Sequence, residues 1–384
     1  MASIVVSGYM LRYPFAGTVA TYVQYLLGLH ALGHDVLYVE GKDWPHSCRE
    51  TYTPAGSFPR AGYAQVRELL RRKHVDIPIV WVDENAGLVA GMIWPELRRR
   101  LKHADLLLDI GGTCQLDERA SAARRALLDI DPTAAARKPS EPEDYDTYFS
   151  YAVNIGRPGC SMPTHGREWH PTIPPIVPQL WTTTPPHGHS PITWLSHWPH
   201  ATKRHPEAED EELQQLLDLA AHVVCPVELA MPLGSTHLRG CFTSAGWSVR
   251  DASDVTALLS TYHDYIRNSQ AQISLSDHAH TTARSGWISS DSAHYLAAGR
   301  PAIIQDTGLG EWLTSNSGVL TFDDLDEAIE KVGRVTSELT KHSHAARKLT
   351  NRVFHYRIVL QDLLRRALPK DAGELHPGRA ATEP

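Results

Sequence analysis

Ser3-Ile4-Val5-Val6-Ser7-Gly8 begins, and Asp35-Val36-Leu37-Tyr38-Val39 ends, the stretch whose reading decides the fold. The first run is short and β-rich, and it stops at Gly8, where a strand can turn sharply. A loop from Tyr9 to Gly17 follows, carrying Arg12 and Pro14. From Thr18 onward the apolar residues Val19, Tyr22, Val23, Leu26 and Leu29 fall on one helical stripe. Gly33 lies just past its end as a stop. The unit is strand, helix, strand with a short crossover, which forms a right-handed parallel pair.

The pattern recurs outward. Pro78-Ile79-Val80-Trp81-Val82 reads as a strand after a basic helix over 63–74, and Asp105-Leu106-Leu107-Leu108-Asp109 as another, closed by Ile110-Gly111-Gly112. Runs at 126–132 and 147–151 continue the series. Short continuous apolar runs suit strands covered by helices on both faces, so the first half reads as an open doubly wound α/β domain. Residues 156–191 are dense in Pro, Gly, Thr and His, and the domain boundary is expected near 182–191. A second series follows, with strands expected at 192–195, 222–225, 241–247, 271–275 and 301–305, and helices at 206–221, 253–266, 290–298, 323–335 and 344–368. The expected plan is two Rossmann-like domains facing a cleft, over 1–182 and 183–345, then a C-terminal helix over 346–370 and a frayed tail over 371–384. Such domains place ligands at the carboxyl ends of their strands.

Composition narrows the function. The chain has 384 residues, a net charge of −7, and 42% hydrophobic and 21% charged residues, the balance of a globular protein. No basic surplus exists to neutralise a phosphate backbone, so nucleic acid is not expected as a partner. No apolar run approaches the roughly 20 residues that span a bilayer, and the opening MASIVVSGYM does not read as a secretory signal. Cys48, Cys114, Cys160, Cys225 and Cys241 are odd in number and include no C-x-x-C, which suits a reducing cytoplasm.

The most informative chemistry lies in Arg284-Ser285-Gly286-Trp287-Ile288-Ser289-Ser290-Asp291-Ser292, continuing through Gly299-Arg300-Pro301 to Gln305-Asp306-Thr307-Gly308. Four polar residues crowd the start of a short amphipathic helix, with Ser290 the expected N-cap. A helix start offers free N–H groups and a positive dipole end, which suits a diphosphate, and Arg284 would add a fixed positive charge. Gln305, Asp306, Thr307 and Gly308 arrive at the cleft edge, where their polar groups suit sugar hydroxyls. The same residues also read simply as a capped helix and a turn.

This stretch resembles the donor-binding segment of GT-B-fold glycosyltransferases, sugar-nucleotide-dependent enzymes of the bacterial natural-product or group-1-like type. The carrying motif is the small-residue turn Leu296-Ala297-Ala298-Gly299-Arg300-Pro301; the opening strand, its loop to Gly17-Thr18, and Leu32-Gly33-His34-Asp35-Val36 resemble the other end of that fold. The resemblance implies a hexosyltransferase-like enzyme that takes a nucleoside-diphosphate sugar as donor and a small molecule as acceptor, with no permanently bound cofactor and no metal. It implies that Arg284, Ser285, Ser290, Asp291 and Ser292 hold the diphosphate, with Gly17, Thr18 and Arg12 approaching from the other domain. Gly286 and His294 stand where well-known retaining members carry two glutamates, and the first loop lacks the histidine of many inverting members. The glutamate roles and the base therefore do not carry over, and a sugar-nucleotide epimerase or a non-catalytic sugar-nucleotide-binding protein stays open beside the transferase.

For the base that takes the acceptor's proton, the candidates are Asp109 and Asp131 at strand ends and His165 in the Pro/Gly-rich stretch. Each also has the more ordinary reading of a turn aspartate or a loop histidine. The pairs His187/His189 and His278/His280 lack the spacing of a zinc site. Glu207 to Glu212 is an acidic helix start that suits the dipole.

Overall fold

The computed structural model describes residues 1–41, 58–83, 88–114, 116, 121–132, 145–185, 188–196, 216–232, 236–313 and 317–369. The acidic run 207–212, His187, Cys48 and the tail 371–384 lie outside them.

Two sheets carry the chain. The first has eight strands: β1 (Ser3–Ser7), β2 (Asp35–Gly41), β3 (Ile79–Asp83), β4 (Leu88–Ala90), β5 (Leu106–Ile110), β6 (Arg125–Asp129), β7 (Thr147–Ser150) and β8 (Trp169–Pro171), in the order 4-3-2-1-5-6-7-8. Only β4 pairs antiparallel. The second has six parallel strands: β9 (Ile192–Leu195), β10 (Val227–Met231), β11 (Ser248–Asp251), β12 (Ala271–Ser274), β13 (Ala302–Gln305) and β14 (Val319–Phe322), in the order 11-10-9-12-13-14. In both, strand order reverses beside the first strand, as in doubly wound nucleotide-binding sheets. The expected α/β fold with two Rossmann-like sheets is the fold observed.

Alternation along β1 sets the layers. Ile4 and Val6 pack with α1 (Ala16–Ala31) and α2 (Arg60–Arg72), while Val5 packs on the other face with Leu97 and Leu101 of α3 (Trp94–Lys102). In the second sheet, α4 (Leu219–His222), α5 (Thr236–Ser244) and α10 (Leu325–Ser337) cover the far face. The near face meets α6 (Ala252–Thr256), α7 (Leu259–Arg267) and α9 (Ser290–Ala297). The α9 helix follows α8 (His278–Ala283).

Several element expectations are corrected. The strand expected at 241–247 is helical, because Leu238 and Phe242, four apart, share one buried helix face, and Gly246 at φ 100° stops the helix. The strand expected at 222–225 is β10, five residues on; Glu228 breaks its apolar run. The terminal helix expected over 344–368 is two helices, α11 (Leu339–Leu349) and α12 (Tyr356–Ala367), separated by a π-helical turn over Thr350–Phe354. Leu360 and Tyr356 of α12 lie against Gly28 of α1. The expected helix over 206–221 falls mostly outside the described residues.

Candidate functional site

Contacts between the halves show which ends of the sheets meet. After β6, the Ile130 carbonyl accepts the Trp287 indole N–H at 3.0 Å. After β7, the Asn154 backbone N–H donates to the Ser285 carbonyl at 2.9 Å. The Asn154 side-chain N–H2 group donates to the carbonyls of Arg284 at 3.1 Å and Gly308 at 3.0 Å. These partners follow β12 and β13, so the carboxyl ends of both sheets face one seam, the place where such folds bind ligands.

On the first-sheet side, Glu40 ends β2 in a buried position. Its carboxylate accepts the N–H groups of Leu11 at 2.8 Å and Arg12 at 2.9 Å, and the Tyr38 hydroxyl at 2.8 Å. Burial pushes the Glu40 carboxyl up to about 7, with these bonds and the Arg12 charge opposing the rise. The loop before α1 is thus tied from beneath, and Arg12 is held by its backbone. Gly17 is buried in the first turn of α1, where its carbonyl accepts the Thr21 hydroxyl at 2.9 Å, and Thr18 is half-buried.

On the second-sheet side, α9 starts one residue earlier than expected. Ser289, not Ser290, is the N-cap: its hydroxyl accepts the Ser292 N–H at 3.0 Å. This frees the Ser290 hydroxyl, which bonds Tyr151, itself 2.7 Å from the Tyr25 hydroxyl of α1. Ser290 and Asp291 are partly open, whereas Ser292 is buried. Asp291 accepts the Tyr262 hydroxyl at 2.6 Å, and that hydroxyl also lies 3.0 Å from His294 Nδ1. His294 stacks on Trp181. The nearby His263 is driven down to about 4, first by burial and then by the charge of His294.

The remaining residues expected to contact the donor build the turn itself. Ser285 is fully buried and bonds His280 Nδ1 at 2.9 Å. Gln305 accepts the Ser276 N–H at 3.2 Å. Asp306 accepts the N–H groups of Gly308 at 3.0 Å and Leu309 at 3.1 Å, and pairs with Arg284 at 3.3 Å. Thr307 is sealed from solvent and donates to the Trp287 carbonyl at 2.7 Å. Their polar groups therefore hold backbone, and Arg284 is left as the half-exposed side chain of the set.

The base candidates are dispersed. Asp109 is fully buried and accepts the N–H groups of Thr113 and Cys114, at 2.9 and 3.0 Å, and the Tyr145 hydroxyl at 2.5 Å; it fastens the turn after β5. His165 occupies an exposed turn at φ 52°. Asp131 is 59% exposed and lies 3.6 Å from Nε2 of buried His280, whose ring stacks on Trp287 with centroids 4.5 Å apart. Asp129 beside it is buried, and burial first, then the charge of Asp131, push its carboxyl up to about 7.

Glu40 and Asn154 escaped the sequence reading, and His280 was weighed there only as a metal ligand. Glu40 carries a signal, a carboxylate near the carboxyl end of a strand whose interior is apolar. Asn154 carries none. Among the described residues no group of three or more His, Cys, Asp or Glu could hold a metal ion, and no helix is long and apolar enough to cross a membrane.

No family model matches the chain, and no curated protein matches it. Solved structures do. An alpha-glucosyltransferase in complex with UDP and a 13-mer DNA matches at TM-score 0.58 and 10% identity, over 95% of this chain and 98% of that one. AviGT4, a glycosyltransferase involved in avilamycin A biosynthesis, matches at 0.58 and 14%, over 97% and 99%. Anabaena Alr3699/HepE with UDP-glucose matches at 0.59 and 10%, over 95% and 99%.

The chain has the GT-B glycosyltransferase fold. The comparison also corrects one expectation, that nucleic acid is not a partner, because a protein of this same fold holds DNA beside UDP. Net charge is a sum over the whole chain and does not report one surface: Arg60, Arg67, Arg71, Arg72 and Lys73 cluster on α2 and its C-cap against a lone Glu68.

Proposed function

We propose that the protein is a sugar-nucleotide-dependent glycosyltransferase that moves a hexose from a nucleoside-diphosphate sugar to a hydroxyl of a small-molecule natural product. The observation that carries this is the partly open start of α9 at the seam where the carboxyl ends of both sheets meet. There the backbone N–H groups of Ser290 and Asp291, the positive end of the helix and the half-exposed Arg284 guanidinium suit a diphosphate. In this reading Gly17, Thr18 and Arg12 meet it from the domain over 1–182, which takes the acceptor, while the domain over 183–345 takes the donor. The bond between sugar C1 and the diphosphate oxygen breaks, C1 bonds the acceptor oxygen, and the acceptor proton passes to a base. The charge growing on the diphosphate is what the helix start and Arg284 stabilise. Asp131 is the base this reading selects, since it is the candidate carboxylate open to solvent at the seam.

Purified protein mixed with UDP-, GDP- and dTDP-sugars tests this. One sugar nucleotide should raise the melting temperature and release its nucleoside diphosphate when a hydroxylated acceptor panel is added. No shift and no release across the panel rejects the transferase. Epimerised donor without acceptor would select the epimerase instead, and transfer to a DNA duplex alone would replace the small-molecule acceptor.

A further inference from the structure

We infer that Asn154, a residue of the first domain, is the positioning residue that holds the donor-binding segment of the second domain in its binding shape. The inference rests on the donor reading above and adds to it that the donor site is completed across the seam.

The geometry is a three-point clamp. Asn154 is fully buried. Its backbone N–H holds Ser285, and its side-chain N–H2 group spends both hydrogens, one on the Arg284 carbonyl and one on the Gly308 carbonyl. The two segments joined in this way, 284–286 and 306–308, otherwise meet through the Gly286 N–H to the Thr307 carbonyl at 2.6 Å and the Arg284–Asp306 pair. The residues being held have left-handed backbones: Arg284 at φ 48°, Gly286 at φ 70° and Gly308 at φ 87°. For a non-glycine residue such as Arg284 this conformation costs energy and persists only where its surroundings impose it. The fit is also tight. A Cβ on Gly286 would lie 2.7 Å from the Asn154 amide nitrogen, and one on Gly308 would lie 3.1 Å from it. The amide oxygen of Asn154 has no hydrogen-bond partner among the described residues, so the side chain holds the two segments through its donors alone.

The consequence concerns Arg284. Its guanidinium is the exposed positive charge of the segment, and its backbone carbonyl is what Asn154 grips. Without the clamp, Arg284 relaxes toward ordinary backbone angles and its guanidinium leaves the place where it meets the diphosphate. Donor affinity therefore depends on a residue that does not touch the donor, while acceptor binding does not.

The test uses the full chain with Asn154→Asp, which keeps the shape but sets a carboxylate against two carbonyls, and Asn154→Ala, which keeps the backbone bond alone. In the ligand-free protein, amide exchange at 285–287 and 307–309 should quicken at least tenfold in both variants, with α1 unchanged. With UDP, GDP and dTDP as probes, the Kd of the nucleotide that wild type binds should rise about tenfold. The donor KM should follow it, and the acceptor KM should stay within about twofold. A merely damaged fold would lower the active fraction and kcat and leave the donor KM alone. Unchanged exchange overturns the clamp. Unchanged nucleotide Kd in a variant whose exchange has quickened overturns the link to the donor. Wild type binding none of the three nucleotides overturns the donor reading itself, and the clamp is then decided by exchange.

Discussion

Asp129 and Asp131 sit two residues apart at and just past the end of β6, in different surroundings. Asp131 reaches solvent, while Asp129 is buried with its Oδ1 accepting the Asp131 N–H at 3.1 Å. An aspartate in an unfolded chain titrates near pH ~4, whereas burial and the neighbouring charge raise Asp129 to about 7 in the folded protein. Between those values the folded state keeps a proton that the unfolded state has lost. The stability this group contributes is therefore full below pH ~4 and is lost as pH rises through about 7. Asp129→Asn keeps the shape and removes the titration. Compared with wild type it should gain on the order of 4 kcal/mol as pH rises across that window, read from urea midpoints at stepped pH. Parallel pH profiles for the two proteins would show that Asp129 is not a buried, proton-holding carboxyl.

The loop before α1 shows how elements decide what single residues allow. It is pressed between Glu40 of β2 and Gly62 of α2, where an added Cβ would stand 2.1 Å from the Leu11 carbonyl oxygen. Alanine normally favours a helix over glycine by about 1 kcal/mol. Overlap with a backbone that Glu40 prevents from sliding away costs about 1–3 kcal/mol. Gly62→Ala should therefore destabilise the protein, by up to about 2 kcal/mol in urea unfolding, despite its better propensity. A neutral or stabilising result would mean the loop yields. Elements such as β1, α1 and β2 were legible because each is a β-rich run or a helical stripe bounded by a glycine. The β10 strand was not, because Glu228 interrupts its apolar run and is satisfied by partners distant in sequence, among them Arg250 on the neighbouring strand, at 3.3 Å. The helix start near Ser290 was visible as a cluster of polar residues, although its cap lies one residue earlier. Local pattern could not reveal that Ser285 and Thr307 face inward, or that Asn154 reaches a carbonyl 130 residues away. Those facts belong to the contact between sheets, which leaves no periodic trace in either segment.

At the scale of the molecule, the core does not stop where the sheets change. Ile4 and Tyr25 of the first half, Trp181 of the connection, Tyr262 and Leu296 of the second half, and Phe354 and Leu360 of the return all belong to one buried cluster. The chain's two crossings are tied together: the Ile176 N–H donates to the Phe354 carbonyl at 2.7 Å, and the Tyr356 N–H donates to the Ile176 carbonyl at 2.8 Å. Buried Arg300 fastens the outgoing strand of chain by donating to the carbonyls of Arg267 and Thr184. A cleft enzyme with two independent lobes would unfold in two steps. This one should give a single calorimetric transition whose measured enthalpy equals its van't Hoff enthalpy, because neither half can expose its side of the shared core alone. Leu360→Ala, in the helix that lies on α1, tests the point. It should cost about 2–4 kcal/mol and move that one transition down as a whole. Two resolved peaks in wild type, or a variant that loses only the first-domain peak, would show that the halves are joined by contact but not by cooperativity.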